Sequence, residues 1–256
     1  MKIQILGAHN CESQSTKLIS LLVDDRLVLD AGGLTSSLSF LAQQKIKAIL
    51  LTHQHYDHIR DIPAIAMNYY LAGTTINIYS ISSVHEALTT HLMDGKLYPD
   101  FRERPPEKPT IKFTVIEPLE TEQIESYSVL AVPVTHAVPA VGYQIASPDG
   151  KIVFYTGDTG PGLADCWQQV SPQLLIIEVT APNKYEDFGR ESGHLTPGLL
   201  KQELTIFREL KGYLPQVVAV HMNPVLEEEI KAEIAAVAED LNSPIILGYE
   251  GMQFHL

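Results

Sequence analysis

A chain of 256 residues, 45% of them hydrophobic, can bury a substantial core in one large domain or two small ones. No stretch approaches the ~18 consecutive apolar residues of a membrane span, and a formal charge of −13, from 18 Lys and Arg against 31 Asp and Glu, repels polyanions at long range. That balance argues against nucleic acid and membranes as partners; it leaves room for a small anionic substrate, because a metal-loaded pocket is locally positive.

The amino terminus, "MKIQILG", is too short and polar for a signal peptide and reads as a first strand. Two more strand-like runs follow, "KLISLLVD" and "RLVLDAGG". Then "SSLSFLAQQ" predicts a helix leading into the apolar strand "KAILLTH". Beyond a histidine-rich stretch, "IPAIAMNYYLAG" predicts a helix that tolerates Pro63 near its first turn. Strand "INIYS" and helix "SSVHEALTTHLMDG" come next, with His85 and His91 as ordinary helix residues. Residues 97–110, "LYPDFRERPPEKPT", hold four prolines and six charges and predict an exposed excursion, since strands resume at once. Those strands are "IKFTVIEP", "SVLAVPVTH", "VGYQIAS", "KIVFYTGD", "LLIIEVT", "QVVAVHMN" and "PIILGYEG", with helices at about 161–170, 197–211 and 225–241.

Strands and helices alternate, and several strands are apolar at consecutive positions, as strands covered on both faces are. The expectation is a single layered α/β domain over residues 1–256, two sheets between helix layers. Two distant cysteines, Cys11 and Cys166, build no disulfide framework, so a reducing cytoplasm is the expected compartment. Cys166 reads as a buried helix residue. A homodimer is compatible with the sequence but not specified by it.

Within "LTHQHYDHIRD", residues 51–61, His53, His55, Asp57 and His58 crowd together directly after an apolar strand. Imidazoles and a carboxylate at that density need a positive charge among them. Three further apolar strands run into His136, Asp158 and His221, and open α/β sheets place ligands outside the carboxyl ends of their strands. Five imidazoles and two carboxylates are too many for one tetrahedral zinc. Shared between two ions, with Asp158 bridging, they give each metal a full protein set and room for water. So much imidazole points to zinc, with manganese or iron as alternatives, and away from calcium or magnesium.

In "HQHYDH", followed by His, Asp and His at strand ends, the sequence resembles the metallo-β-lactamase superfamily of hydrolases, over essentially the whole chain. The resemblance implies a four-layer αββα sandwich. It also implies one metal on His53, His55 and His136, another on Asp57, His58 and His221, and Asp158 on both. Two features set this chain apart from other branches. His55 stands where flavo-diiron proteins use a glutamate, and no cysteine ends a strand, as the ligand cysteine of several β-lactamases does.

The stretch "GRESGHLTPGLLKQEL" discriminates further. Thr196 and Pro197 predict a helix N-cap and first position, with Leu195 packing on Leu200 as a staple. His194 then sits just ahead of a helix N-terminus, whose amides and dipole favour an anion, and an imidazolium there suits protonation of a departing alkoxide. "SGHLTP" resembles the phosphodiesterase branch, which holds ribonuclease Z and the class II cyclic-nucleotide phosphodiesterases; "YTGDTGPG" and "IIEVTAPN" look more like the latter. The implied activity is hydrolysis of a small phosphodiester, a 3′,5′-cyclic nucleotide first. The implied mechanism is attack by a hydroxide bridging two zinc ions, with Asp57 and His194 as catalytic residues. The alternatives are transfer-RNA 3′ processing, for which the acidic chain offers no basic docking surface, and acyl hydrolysis by a lactonase or thioesterase.

Asp61 stands where the superfamily commonly has glycine, and "GAHN" replaces its glycine-rich turn after the first strand. Four more residues are candidates for the site. Asp30 orients a ligand histidine or caps its own turn. Glu178, also at a strand end, orients a histidine or serves structure. His9 lines the pocket mouth, and Tyr56 stacks a base.

Overall fold

The computed structural model describes residues 1–256. The apolar runs form strands. β1 (Lys2–Gly7), β2 (Ser20–Val23), β3 (Leu27–Leu29), β4 (Ala48–Leu51), β5 (Ile76–Ser80) and β6 (Ile111–Val115) lie side by side in chain order. A second sheet reverses the count: β13 (Ile245–Leu247), β12 (Gln216–Val220), β11 (Leu174–Glu178), β10 (Ile152–Tyr155), β9 (Val141–Ala146), β8 (Tyr127–Pro133) and β7 (Thr121–Ile124). The carboxyl-terminal β14 (Gln253–His255) pairs antiparallel with β1 and completes the first sheet at seven strands.

Side chains of both sheets, among them Ile5, Leu29, Ile78, Tyr143 and Tyr155, merge into one buried cluster. A second cluster packs Trp167 of α6 (Ala164–Gln169), Leu204 and Phe207 of α8 (Pro197–Lys211) and Ile234 of α9 (Glu227–Leu241) against the second sheet. The architecture is the expected αββα sandwich. β4 and β11 are buried along their whole length, which explains why they read as unbroken apolar runs. No helix is long and apolar enough to cross a membrane.

Sheet direction puts the polar strand ends on one rim. β10, β11 and β12 are parallel, so Asp158, Glu178 and His221 emerge together. β8 is antiparallel to β9, which is antiparallel to β10, so His136 leaves on the same side. α8 begins where the sequence predicts, with Thr196 at the N-cap accepting from the Leu199 amide and Leu195 and Leu200 buried together.

Several local expectations are corrected. The helix over "SSLSFLAQQ" is two short ones, α1 (Leu34–Ser37) and α2 (Phe40–Gln43). Leu38 is extended, and the Ser39 hydroxyl starts the second by accepting from the Ala42 amide. After α3 (Tyr56–Ile59) and α4 (Ile62–Leu71), the helix at "SSVHEALTTHLMDG" is α5 (Ser82–Ala87) followed by a π turn over Leu88–Leu92. The 97–110 segment is not wholly exposed, because Phe101 is buried and anchors it. Strands β7 and β14, and α7 (Glu186–Ser192) with the 3-10 turn Asn183–Tyr185 before it, have no counterpart in the expectations.

Candidate metal centre

His53 follows β4, His55 is the N-cap of α3, and Asp57 and His58 lie inside that one-turn helix. The turn bends the chain so that residues four and five positions beyond His53 fold back toward it. Loops after β8, β10 and β12 bring His136, Asp158 and His221 from the opposite sheet. The ligand atoms fall into two groups, His53, His55, His136 and Asp158 on one side and Asp57, His58, Asp158 and His221 on the other, within 4.8 Å of one another in each. Asp158 belongs to both: its Oδ2 lies 3.6 Å from His53 Nε2, and its Oδ1 is 3.1 Å from His58 Nε2 and 3.4 Å from His221 Nε2.

Three of these atoms, His53 Nε2, His58 Nε2 and Asp158 Oδ1, are buried with no hydrogen-bond partner. Buried polar atoms left unpaired are costly, and native folds avoid them unless something else satisfies them. Here they are close without alignment for hydrogen bonds. A donor set of imidazoles and carboxylates with unspent lone pairs fits divalent cations, and imidazole richness favours zinc.

The opposite edges of the histidines explain their orientation. Asp30 Oδ2 accepts from His58 Nδ1 at 2.7 Å, and the Thr52 hydroxyl, donating to Asp30, meets His53 Nδ1 at 3.0 Å. Across the site the pattern repeats: Glu178 Oε1 accepts from His194 Nδ1 at 2.7 Å, and the Thr180 hydroxyl, donating to Glu178, meets His221 Nδ1 at 2.9 Å. Each carboxylate thus orients one histidine directly and another through a threonine, leaving Nε2 toward the interior. The Gly193 carbonyl accepts from His136 Nδ1 at 2.8 Å. Gly193 has φ +74° and lies so close that a Cβ would come within 2.7 Å of His136 Cα, so only glycine fits. His55 differs, presenting Nδ1, which is 3.1 Å from His136 Nε2.

The electrostatics divide the histidines: burial works against the charge of His58, but Asp158 and Asp30 outweigh it and raise its pKa well above the ordinary range. Burial and the nearby His58 push the His53 imidazole well below its ordinary range, which keeps its Nε2 lone pair unprotonated. Burial opposes ionisation of Asp158, yet His221 and His58 hold its carboxyl well below the usual carboxylate range. Asp30 and His221 also share a backbone conformation unusual for side-chain-bearing residues, with φ of +56° and +65°.

The structure therefore brings all seven candidate ligands together, with Asp30 and Glu178 behind them. Tyr56 is 63% exposed and lines the cavity over the site. His9 requires a correction. It is buried, its Nδ1 2.7 Å from Glu250 and its Nε2 3.3 Å from Glu227, and its neighbour Asn10 lines the cavity instead. Asp61 spends its carboxylate on the Thr35 amide and hydroxyl and on Arg60.

His194 stands at the cavity wall, its ring stacked on that of His221 at 5.6 Å. Burial works against its charge, but Glu178 outweighs this and holds its pKa up to about 9. With Nδ1 committed to Glu178, its free ring nitrogen is Nε2. The free amides expected at the start of α8 are already taken: Gly198 donates to Asn183 Oδ1 and Leu199 to Thr196. An anion there meets the helix dipole and His194, not unpaired amides. Thr52, Thr180 and Gly193 were missed as supports; the two threonines follow directly from their places beside His53 and just past Glu178.

Residues 28–222 match the model of a family described as the beta-lactamase superfamily domain. The chain belongs to that superfamily, the metallo-β-lactamase fold family of metal-dependent hydrolases. A 3′,5′-cyclic-nucleotide phosphodiesterase of Aliivibrio fischeri is 21% identical over 196 residues, 69% of this chain and 58% of that protein. A ribonuclease Z of Pyrococcus abyssi is 31% identical over 151 residues, 57% of this chain and 47% of its own length. The chain thus matches 58% and 47% of the length of these two relatives. The structure of unliganded yeast PDE1 shares the fold, with a TM-score of 0.85 at 16% identity over 100% of this chain and 99% of that one.

Proposed function

We propose that the chain is a zinc-dependent phosphodiesterase whose favoured substrate is a 3′,5′-cyclic nucleotide. The placement of His194 carries the proposal: a histidine held by Glu178 at the cavity wall, beside the metal groups but with Nδ1 turned away from them. His53, His55, His136 and Asp158 would hold one cation, and Asp57, His58, Asp158 and His221 the other. Two such cations supply Lewis-acid charge against a phosphoryl group and acidify water.

The chain's own residues do the rest. The cavity, about 590 Å³, has the size of a small-molecule site; His55, Asp57, Asp158 and His221 reach it from the metal groups, and Tyr56, Arg60, Asn10 and His194 stand among its other walls. Arg60, fixed by Asp61 and Glu12, sets a cation at its rim. Glu178 accepts the Nδ1 proton and, by holding the pKa up to about 9, keeps His194 an imidazolium; its second proton, on Nε2, faces the cavity and passes to the departing 3′ oxygen, leaving the neutral ring. The similarity to a cyclic-nucleotide phosphodiesterase supports the substrate class.

A second reading, transfer-RNA 3′ processing, is favoured by the similarity to ribonuclease Z. The charge of −13 weighs against it. The deciding experiment offers zinc-reconstituted protein a cyclic nucleotide, a simple lactone and a precursor transfer RNA, with and without His194→Ala. Cyclic-nucleotide turnover that falls by about a hundredfold or more in the variant is expected. Lactone turnover indifferent to the change would overturn the phosphodiester assignment, and cleavage of the RNA in preference to the cyclic nucleotide would establish the second reading.

A further inference from the structure

A second cavity, of about 330 Å³, opens beside the first and shares Asn10 and His194 with it. Its walls are of a different kind. Tyr185, Phe188, Ala181 and Leu226 make it apolar, and two amides, Asn10 and Asn223, supply its polar edge. We propose that this cavity seats the nucleobase of the substrate, stacked on Tyr185 and Phe188 and read by Asn10 and Asn223.

Tyr185 closes the 3-10 turn and Phe188 lies in the first turn of α7, three residues on, so both rings project from one face. They are 42% and 54% exposed, an unusual state for large aromatic rings facing a concavity. The segment that carries them is tied down from several sides. Asn183 Oδ1 accepts from the Gly198 amide at 2.6 Å, the Asn183 amide donates to Glu233 at 2.7 Å, and Lys184 pairs with Glu229 at 2.6 Å. A shelf already fixed loses little conformational freedom when a flat ring settles on it.

The polar edge points the same way. Asn10 lines both cavities, and its Oδ1 has no partner and is closed off from water, a costly state that a small turn of the amide toward a base N–H would relieve. Asn223 Oδ1 accepts from the Val225 amide at 3.0 Å, so what its side chain can still offer is its amino group. One acceptor and one donor beside two aromatic faces match the edge and the planes of a heterocyclic base. The shared residue His194 places the bond being broken where the two cavities meet, with the sugar between them.

The identity of the substrate rests on the phosphodiesterase reading, but the shelf can be tested without turnover. Adenosine, which carries a base and no phosphate, is titrated into wild type, Phe188→Ala and Asn10→Ala, followed by saturation-transfer NMR with ribose as control. In parallel, KM and kcat are measured for a cyclic nucleotide and for methyl p-nitrophenyl phosphate. Adenosine should bind wild type and lose about tenfold or more in affinity with Phe188→Ala. KM for the cyclic nucleotide should rise by a similar factor more than KM for the base-free diester. Adenosine that fails to bind wild type, or binds wild type and Phe188→Ala equally, overturns the shelf; equal binding to Asn10→Ala overturns the reading of the base by Asn10. Adenosine binding that depends on Phe188, in a protein inert to cyclic nucleotides, sustains the shelf and removes the cyclic-nucleotide assignment alone. Tyr185→Ala, at a second exposed ring, guards against a folding artefact of the first variant.

Discussion

Glu178 holds His194 by a 2.7 Å contact to Nδ1, and its other oxygen takes the hydroxyl of Thr180, which meets His221. A single carboxylate therefore governs both the residue assigned to the leaving group and, at one remove, a metal-group histidine. Glu178→Gln should lower kcat by about 10–100-fold for substrates that release an alkoxide. Esters of p-nitrophenol, whose leaving group departs without a proton, should suffer far less. Equal losses on both kinds of substrate would assign Glu178 to metal retention instead.

Removing metal should loosen the molecule as a whole, because the two ligand groups draw residues from both sheets. A ligand held at a thousand times its Kd adds about 4 kcal/mol to stability. For a chain of this size that corresponds to roughly 10 °C in Tm. Differential scanning calorimetry before and after exhaustive chelation checks this, with metal content measured alongside. An unchanged Tm in verified metal-free protein would mean that the folded chain binds the ions no more tightly than the unfolded one, and would overturn the two-metal assignment.

Glu203 is the least conspicuous of the important carboxylates. It rises from the middle of α8, is buried, and accepts from the amides of Gly162 and Leu163 and from Trp167 Nε1. It thereby fixes the loop that leaves Asp158. Glu203→Gln keeps the shape but turns an amino group toward donors, leaving at least one unpaired. The expected cost is about 1–3 kcal/mol in urea unfolding, together with weaker metal retention through Asp158. Wild-type stability in this variant would mean that water replaces the lost bonds.

His9, displaced from the pocket in the structure, instead predicts a pH dependence of stability. Burial lowers its affinity for a proton, but bonds to Glu250 outweigh this and raise its pKa from the ordinary 6.5. Burial raises the Glu250 carboxyl, while His9 and the Lys17 amide bring it below the ordinary 4.5. The histidine's contribution is complete below 6.5 and fades as pH rises through its folded value. The carboxylate's is complete above 4.5 and fades as pH falls through its folded value. The stability gap between wild type and Glu250→Gln should therefore be widest between those two pH values, at about 1–2 kcal/mol, and narrow on either side. A gap independent of pH would assign the loss to packing alone.

The sequence exposes the candidate ligands because their signal is local: "HQHYDH" spans a strand end and the one-turn helix after it, and the remaining candidates follow apolar strands that announce their own ends. Asp30 and Glu178 were visible for the same reason. His9 misled because its partners, Glu250 and Glu227, lie far off in sequence and come beside it only through the pairing of β14 with β1 and the packing of α9. Glu203 was invisible, since a lone glutamate on an amphipathic helix normally faces water. β7 and β14 have too few residues for periodicity to speak. The break at Ser39 turns on one bond, donated by the Ala42 amide to the Ser39 hydroxyl, that competes with continuing the helix.

Tyr185, Phe188, Gly193 and His194 all belong to one uninterrupted stretch between β11 and α8, while six of the seven proposed ligands lie before it and one after. The two rings of the proposed shelf thus sit apart in sequence from the candidate metal ligands, although its polar edge, Asn10 and Asn223, lies elsewhere in the chain. Changes confined to residues 183–192 are expected to alter base preference while leaving the metal groups in place. For divergence, that makes the stretch an exchangeable cassette set against a fixed metal centre.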